Sequence, residues 1–205
     1  MDYYNILREE LFPLIDDGPH NILEIGCGKG RTGYELKTRG KAAKVIGIEL
    51  VESVACEARS YLDEVYCGDL ESMTLPFADS EFDYILAADV LEHLRDPWLM
   101  VTRLRRYLKS DGFMVASIPN VQYYRVIKDL MFKGEWRYTD GGLLDISHLR
   151  FFTKKSIVQL FAGEFKSVML YPKYGRHKEI INRLTGNLLQ DFFVFQYLIK
   201  AGNRS

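Results

Sequence analysis

Residues 21–25 form a short apolar run that carries Glu24 and opens onto Gly26, Gly28 and Gly30. Glycine is needed where the backbone must take a positive φ or approach a ligand without a Cβ in the way, so this run reads as a strand ending in a tight, ligand-ready turn. Further carboxylates follow at Glu49, Asp69 and Asp89, each at the end of, or just after, another short apolar run. One strand after another would then deliver an acid to the same edge of a parallel sheet, which outlines a nucleoside pocket.

Hydrophobic periodicity extends the pattern. A leading helix is expected over 3–14, then strands over 21–25, 44–50, 64–67, 82–88 and 113–118. Between them helices are expected over 32–39, 53–60 and 91–108, with Pro97 breaking or kinking the last near its start. After Asn120 the rhythm changes: 121–133 is helical, 134–149 is polar, aromatic and glycine-bearing, 153–162 restores a helix, and 165–171 and 192–199 read as strands. Strand-then-helix order predicts an α/β fold, a Rossmann-like, doubly wound, mostly parallel seven-stranded sheet with helices on both faces and an aromatic insertion after strand 5. The expected organisation is one domain over 1–205. Its parts are a leading helix (1–19), a donor-binding half (20–120), an acceptor lid (121–152), and a C-terminal helix with a β-rich end (153–205).

The formal charge of −1 gives no reason to expect a nucleic-acid partner. The basic run Arg103–Lys109 carries Leu104 and Leu108 at helical spacing and fits the solvated face of a helix. No stretch approaches the ~20 apolar residues of a membrane span, and the first residues lack the features of a signal peptide. A cytoplasmic location is expected, and a homodimer is left open. Cys27, Cys56 and Cys67 show no CxxC spacing, against a disulfide framework or a zinc knuckle.

Gly28-Lys29-Gly30-Arg31-Thr32-Gly33 also satisfies the G-x-G-x-x-G dinucleotide fingerprint, so the glycines alone leave two cofactor classes open. Register separates them. A carboxylate at Glu24, inside the strand end, repels a pyrophosphate and suits a ligand with an ammonium group.

Together, Leu23–Gly30, Gly47-Ile48-Glu49, Gly68-Asp69-Leu70 and Phe82–Asp89 resemble the class I S-adenosylmethionine-dependent methyltransferases, over roughly residues 20–120. The resemblance implies S-adenosylmethionine as cofactor and S-adenosylhomocysteine as product. It implies that Gly26, Cys27 and Gly28 line the methionine part, with Gly30 also among the donor-binding residues and Glu24 orienting the loop or the ammonium group. Glu49 would accept the ribose hydroxyls, and Asp69 the adenine amino group while Leu70 packs on the ring. Ala87 and Ala88 would leave room beside the sulfonium, with Asp89 next to them. A nicotinamide-dependent oxidoreductase and a catalytically silent donor-binding subunit are the alternatives.

Two histidines are placed to act as a base. His93 lies in Asp89-Val90-Leu91-Glu92-His93, which resembles the ubiquinone-biosynthesis O-methyltransferases, in which such residues bind a divalent cation. Asp89, Glu92 and His93 are therefore a candidate metal site, against the reading of His93 as a pocket-lining residue. His148 lies in Asp145-Ile146-Ser147-His148-Leu149-Arg150-Phe151-Phe152-Thr153, resembling a D-x-x-H-x-R-F-F-T segment of bacterial methyltransferases from surface-polysaccharide and secondary-metabolite pathways. Asp145 could orient the His148 imidazole; alternatively His148 and Arg150 tie the insertion to the core. Tyr123, Tyr124, Trp136 and Tyr138 would line an acceptor mouth if the insertion is a lid. The expected acceptor is a small molecule or a glycan precursor, methylated at oxygen. His20 precedes the first strand, away from the pocket edge, and His177 completes the set of histidines.

Overall fold

The structure is a computed structural model that describes residues 3–175, 182, 186 and 189–202. Its centre is a seven-stranded sheet. In chain order the strands are β1 (His20–Ile25), β2 (Ala42–Glu49), β3 (Glu64–Cys67), β4 (Phe82–Ala88), β5 (Leu108–Pro119), β6 (Ser167–Tyr174) and β7 (Val194–Gly202). Their spatial order is β3-β2-β1-β4-β5-β7-β6. The first five pair in parallel, and β7 runs antiparallel to both neighbours. Strand order reverses between β1 and β4, the place where a doubly wound sheet opens a crevice beyond its carboxyl ends.

The central strands are apolar along their length because both faces are covered. In β4, Ile85 and Ala87 pack beneath α3 (Pro97–Arg105) and α5 (Lys154–Ala162), while Tyr84 and Leu86 belong to the opposite layer with Leu36 of α1 (Arg31–Thr38) and Ala58 of α2 (Glu52–Ala58). Each fully buried Ile, Leu or Phe contributes roughly 1.5–3 kcal/mol.

Two expected helices take a different form. Residues 3–14 form two 3-10 turns, Tyr3–Asn5 and Glu9–Leu14, with Pro13 inside the second. Proline has no N–H to donate and clashes with a preceding carbonyl, yet Leu11, Phe12 and Leu14 still bury against the sheet. Residues 91–108 divide into a 3-10 turn, Leu91–His93, and α3. Asp96 caps α3, its Oδ1 accepting the Leu99 N–H at 2.9 Å, and Pro97 stands in the first turn where no N–H is required. The basic run is not one solvated helix face: Arg103 and Arg105 lie in α3 but are half-buried, the Arg103 guanidinium donating to the Leu70 and Met73 carbonyls, and Leu108 and Lys109 already belong to β5.

After β5 the chain forms α4 (Tyr124–Lys133), and residues 134–149 then run without helix or strand before α5. Thr153 caps α5 in a reciprocal box with Ser156. Among the described residues no helix is long and apolar enough to cross a membrane.

Candidate active site

The carboxyl ends of β1, β2, β3 and β4 surround a cavity of about 640 Å3, within the range of small-molecule sites. The turn after β1 forms its floor. Gly26 and Gly28 take φ of +63° and +54°. A Cβ on Gly26 would lie 2.6 Å from the Val90 side chain, and one on Gly28 would lie 2.6 Å from the Tyr4 carbonyl oxygen. Both positions therefore require glycine. Gly30, expected to touch the ligand, is the N-cap of α1 and does not line the cavity.

Glu49, at the end of β2, is buried with both carboxylate oxygens engaged: Oε2 accepts the Gly28 N–H at 2.9 Å and Oε1 the Val51 N–H at 3.0 Å. Each oxygen keeps a second lone pair, so this carboxylate is held acceptor-only and aimed into the cavity. Asp69 is set by its own turn, Oδ1 accepting the Glu71 N–H at 2.9 Å, with Leu70 and Ala88 on the same wall. Ala87 instead points into the core.

Glu24 lies behind the glycine turn, its Oε2 accepting the Gly33 N–H at 3.1 Å. Burial pushes its carboxyl up to about 8, against the opposing pull of the Gly33 N–H and the Arg8 charge. It fastens the turn to α1. Cys27 lines the cavity, and burial together with Glu24 and Glu49 holds its thiol well above the usual range. That leaves it a packing residue.

Sequence reasoning gave the segment before β1 no role at the site, yet it forms a wall. The Lys29 N–H donates to the Tyr4 carbonyl at 2.9 Å, and the Arg8 N–H donates to Thr32 Oγ1 at 3.2 Å. The Arg8 guanidinium enters the cavity and pairs with Asp89 at 2.6 Å. Asp89 takes φ of +53°, and its other oxygen accepts from Ser117 Oγ and Gln196 Nε2, both at 2.6 Å. An expected ligand-binding acid is thus a junction between four parts of the chain. No pattern in the sequence marks Arg8 or Gln196 for this.

The other side of the cavity is built by the turn after β4 and the insertion. The Leu149 and Arg150 N–H groups both donate to the Glu92 carbonyl at 2.9 Å, and the Arg150 side chain donates to the Arg95 carbonyl. Arg150 therefore does tie the insertion down. The His93 and His148 rings meet edge to face at 4.8 Å, and His93, Ser147 and Leu149 line the cavity. His148 is buried behind His93, with burial and the neighbouring imidazole lowering its pKa. The expected Asp145–His148 pair is not formed. Asp145 Oδ1 accepts from the Ser147 N–H and hydroxyl at 2.8 and 2.5 Å, whereas His148 Nδ1 faces the Leu143 carbonyl at 3.3 Å. A short acidic side chain two residues before a serine closes its own turn before it can reach a residue three away. Tyr123, Tyr124, Trp136 and Tyr138 do not line the cavity; Trp136 and Tyr138 pack on Phe151. His20 sits edge to face on Tyr84 below the sheet's opposite end, and His177 lies outside the described residues.

The residues present fit the expected methyl donor. Two glycines whose Cβ positions are blocked make the cradle. A fixed carboxylate at Glu49 suits a ribose diol, and Asp69 on the same cavity wall adds a second acceptor for the nucleoside end of the donor.

Residues 23–116 match a protein family described as a methyltransferase domain. A ubiquinone biosynthesis O-methyltransferase of Bradyrhizobium diazoefficiens is 33% identical over 106 residues, covering 50% of this chain and 41% of that protein. The 27-O-demethylrifamycin SV methyltransferase of Amycolatopsis mediterranei is 31% identical over 97 residues, covering 44% of this chain and 35% of that one. The chain thus spans less than half the length of these relatives. Among solved structures, an S-adenosylmethionine-dependent methyltransferase of Archaeoglobus fulgidus superposes with a TM-score of 0.70 at 18% identity, covering 95% of this chain and 90% of that one. This likeness is one of fold.

Proposed function

We propose that this chain, whose residues 23–116 are a methyltransferase domain of the class I S-adenosylmethionine-dependent kind, transfers a methyl group to the oxygen of a small molecule or a glycan precursor. The observation that carries the reading is Glu49, clamped by the Gly28 and Val51 N–H groups beside a glycine cradle. The choice of oxygen is supported by the two relatives named for oxygen methylation.

When bound, S-adenosylmethionine supplies an electrophilic methyl group on a good leaving group. The chain's own work is then alignment, which can supply about 7–11 kcal/mol of a barrier. Gly26 and Gly28 set the depth at which the donor rests, Glu49 and Asp69 hold its nucleoside end, and Arg8 and the Tyr4 backbone close the cavity over the glycine turn. Ala88 leaves space at the wall, and His93 lines the same cavity. Removal of a hydroxyl proton falls to the Glu92–His93–His148 group, of which His93 lines the cavity.

Calorimetric titration of the whole chain tests this. Saturable S-adenosylmethionine binding, weakened at least about tenfold in Glu49→Ala by loss of charged hydrogen bonds, is expected. Binding of a nicotinamide dinucleotide in its place would overturn the reading. Mass spectrometry of hydroxylated small molecules and nucleotide sugars, incubated with donor, then looks for the added methyl. Donor binding with no methylated product from any of them would favour the silent donor-binding subunit.

A further inference from the structure

Glu92 is buried to 1% exposure, and neither of its carboxylate oxygens has a hydrogen-bond partner among the described residues. A buried carboxylate left unpaired costs several kcal/mol unless a proton or a cation joins it. Beside it stand two imidazoles in a matched arrangement. His93 Nδ1 lies 3.2 Å from the Ser147 carbonyl, and His148 Nδ1 lies 3.3 Å from the Leu143 carbonyl. A carbonyl only accepts, so each Nδ1 carries the proton and each Nε2 is a lone pair. His93 Nε2 is buried and has no partner among the described residues. One atom from each of the three side chains lies within 4.8 Å of the other two.

From this convergence we infer that Glu92, His93 and His148 bind one divalent transition-metal cation, of the zinc, iron(II) or cobalt(II) class. Imidazoles whose second nitrogen donates to a backbone carbonyl are the usual form of metal-bound histidine, because that bond fixes the tautomer and the ring plane. Two nitrogens and one carboxylate oxygen favour such a cation over magnesium or calcium. Tetrahedral ligands about 2.1 Å from zinc stand about 3.4 Å apart, so binding draws the three side chains inward.

The set differs from the one the sequence suggests. Asp89 is committed to Arg8, Ser117 and Gln196, and the third ligand comes from His148, in the insertion more than fifty residues further along the chain. A cation would give the Glu92 carboxylate the partner it lacks among the described residues. With His93 shared between the triad and the cavity wall, a hydroxyl reaching the cation would be acidified there. This consequence rests on the proposed methyl transfer; the binding itself does not.

The test uses the whole chain, stripped with a chelator and titrated with Zn2+ and with Co2+. Expected are one equivalent bound, a cobalt spectrum of nitrogen and oxygen ligation without thiolate charge transfer, and an affinity loss of at least about 100-fold in both Glu92→Gln and His148→Gln. The loss exceeds that of second-shell changes, which cost about 10–100-fold. S-adenosylmethionine titration of each variant reports whether it is folded, and if one variant fails to fold the other carries the comparison. No saturable binding to the wild-type chain, unchanged affinity in the folded variants, or a thiolate signature from Cys56 or Cys67 would each overturn the inference. Because no readout involves turnover, donor binding without metal binding would overturn this inference and leave the proposed function standing.

Discussion

The Arg8 guanidinium meets the Asp89 carboxylate at 2.6 Å, and both residues line the cavity. The segment before β1 is thereby fastened to the end of β4, across the space the donor would fill. Each side chain keeps less than a fifth of its surface exposed, so the pair is screened less than a surface ion pair. Arg8→Met should cost about 1–2 kcal/mol in urea unfolding. It should also speed proteolysis before Glu9 and weaken donor binding. Unchanged proteolysis and unchanged donor affinity would show that the pair does not hold this wall.

Gly28 sits beneath the Tyr4 carbonyl with φ of +54°, and an added Cβ would lie 2.6 Å from that oxygen. Gly28→Ala combines backbone strain of about 1–2 kcal/mol with the clash. Expected is a fall in thermal stability and a loss of donor binding larger than that from Gly40→Ala, which shares a positive φ but has open space around it. Equal effects at the two sites would mean that strain alone matters.

Glu24 provides a pH signature. Its folded carboxyl is raised to about 8 by burial, so the folded chain holds this proton in a range where the unfolded chain has released it. Stability therefore falls as pH rises from the ordinary carboxyl range through about 8, and levels off above that. The shift corresponds to a loss on the order of 5 kcal/mol. Urea unfolding between pH 5 and 9 should show this slope in the wild type and a flatter profile in Glu24→Gln. Parallel profiles would assign the slope to other groups.

Asp145 closes its own turn on Ser147 instead of pairing with His148. Asp145→Asn keeps an oxygen that can accept from the Ser147 N–H. It should leave the pH profile of methyl transfer in place while lowering stability by less than about 1 kcal/mol. A displaced pH profile would restore the acid–histidine pair that the sequence spacing suggests.

The central strands were legible because burial on both faces leaves a continuous apolar run, and β4 falls where that pattern puts it; β3, at the sheet edge and only half-buried, also falls where expected. The helix expected over 153–162 is equally close to α5. Less legible was where periodicity continues across a break. Residues 91–108 keep a helical spacing of apolar residues, but Asp96 and Pro97 restart the helix and leave Glu92 buried in a separate turn. Long-range pairs carry no local signal at all. Nothing near Arg8 points to Asp89, and Asp145 is the nearest acid to His148 in sequence while the imidazole's partners are a backbone carbonyl and His93.

Gln196, on the last strand, donates to Asp89 at 2.6 Å, and that contact has a consequence for the order in which the protein is made. The glycine turn and all four acids leave the ribosome first, and β7, which must slide between β5 and β6, emerges on the order of ten seconds later at ordinary elongation rates. Until then Asp89 lacks one of its partners and β5 has an open edge. A nascent chain stalled before residue 194 should thus hold the donor's cradle without the finished pocket, and its competence to bind would arrive in a single late step.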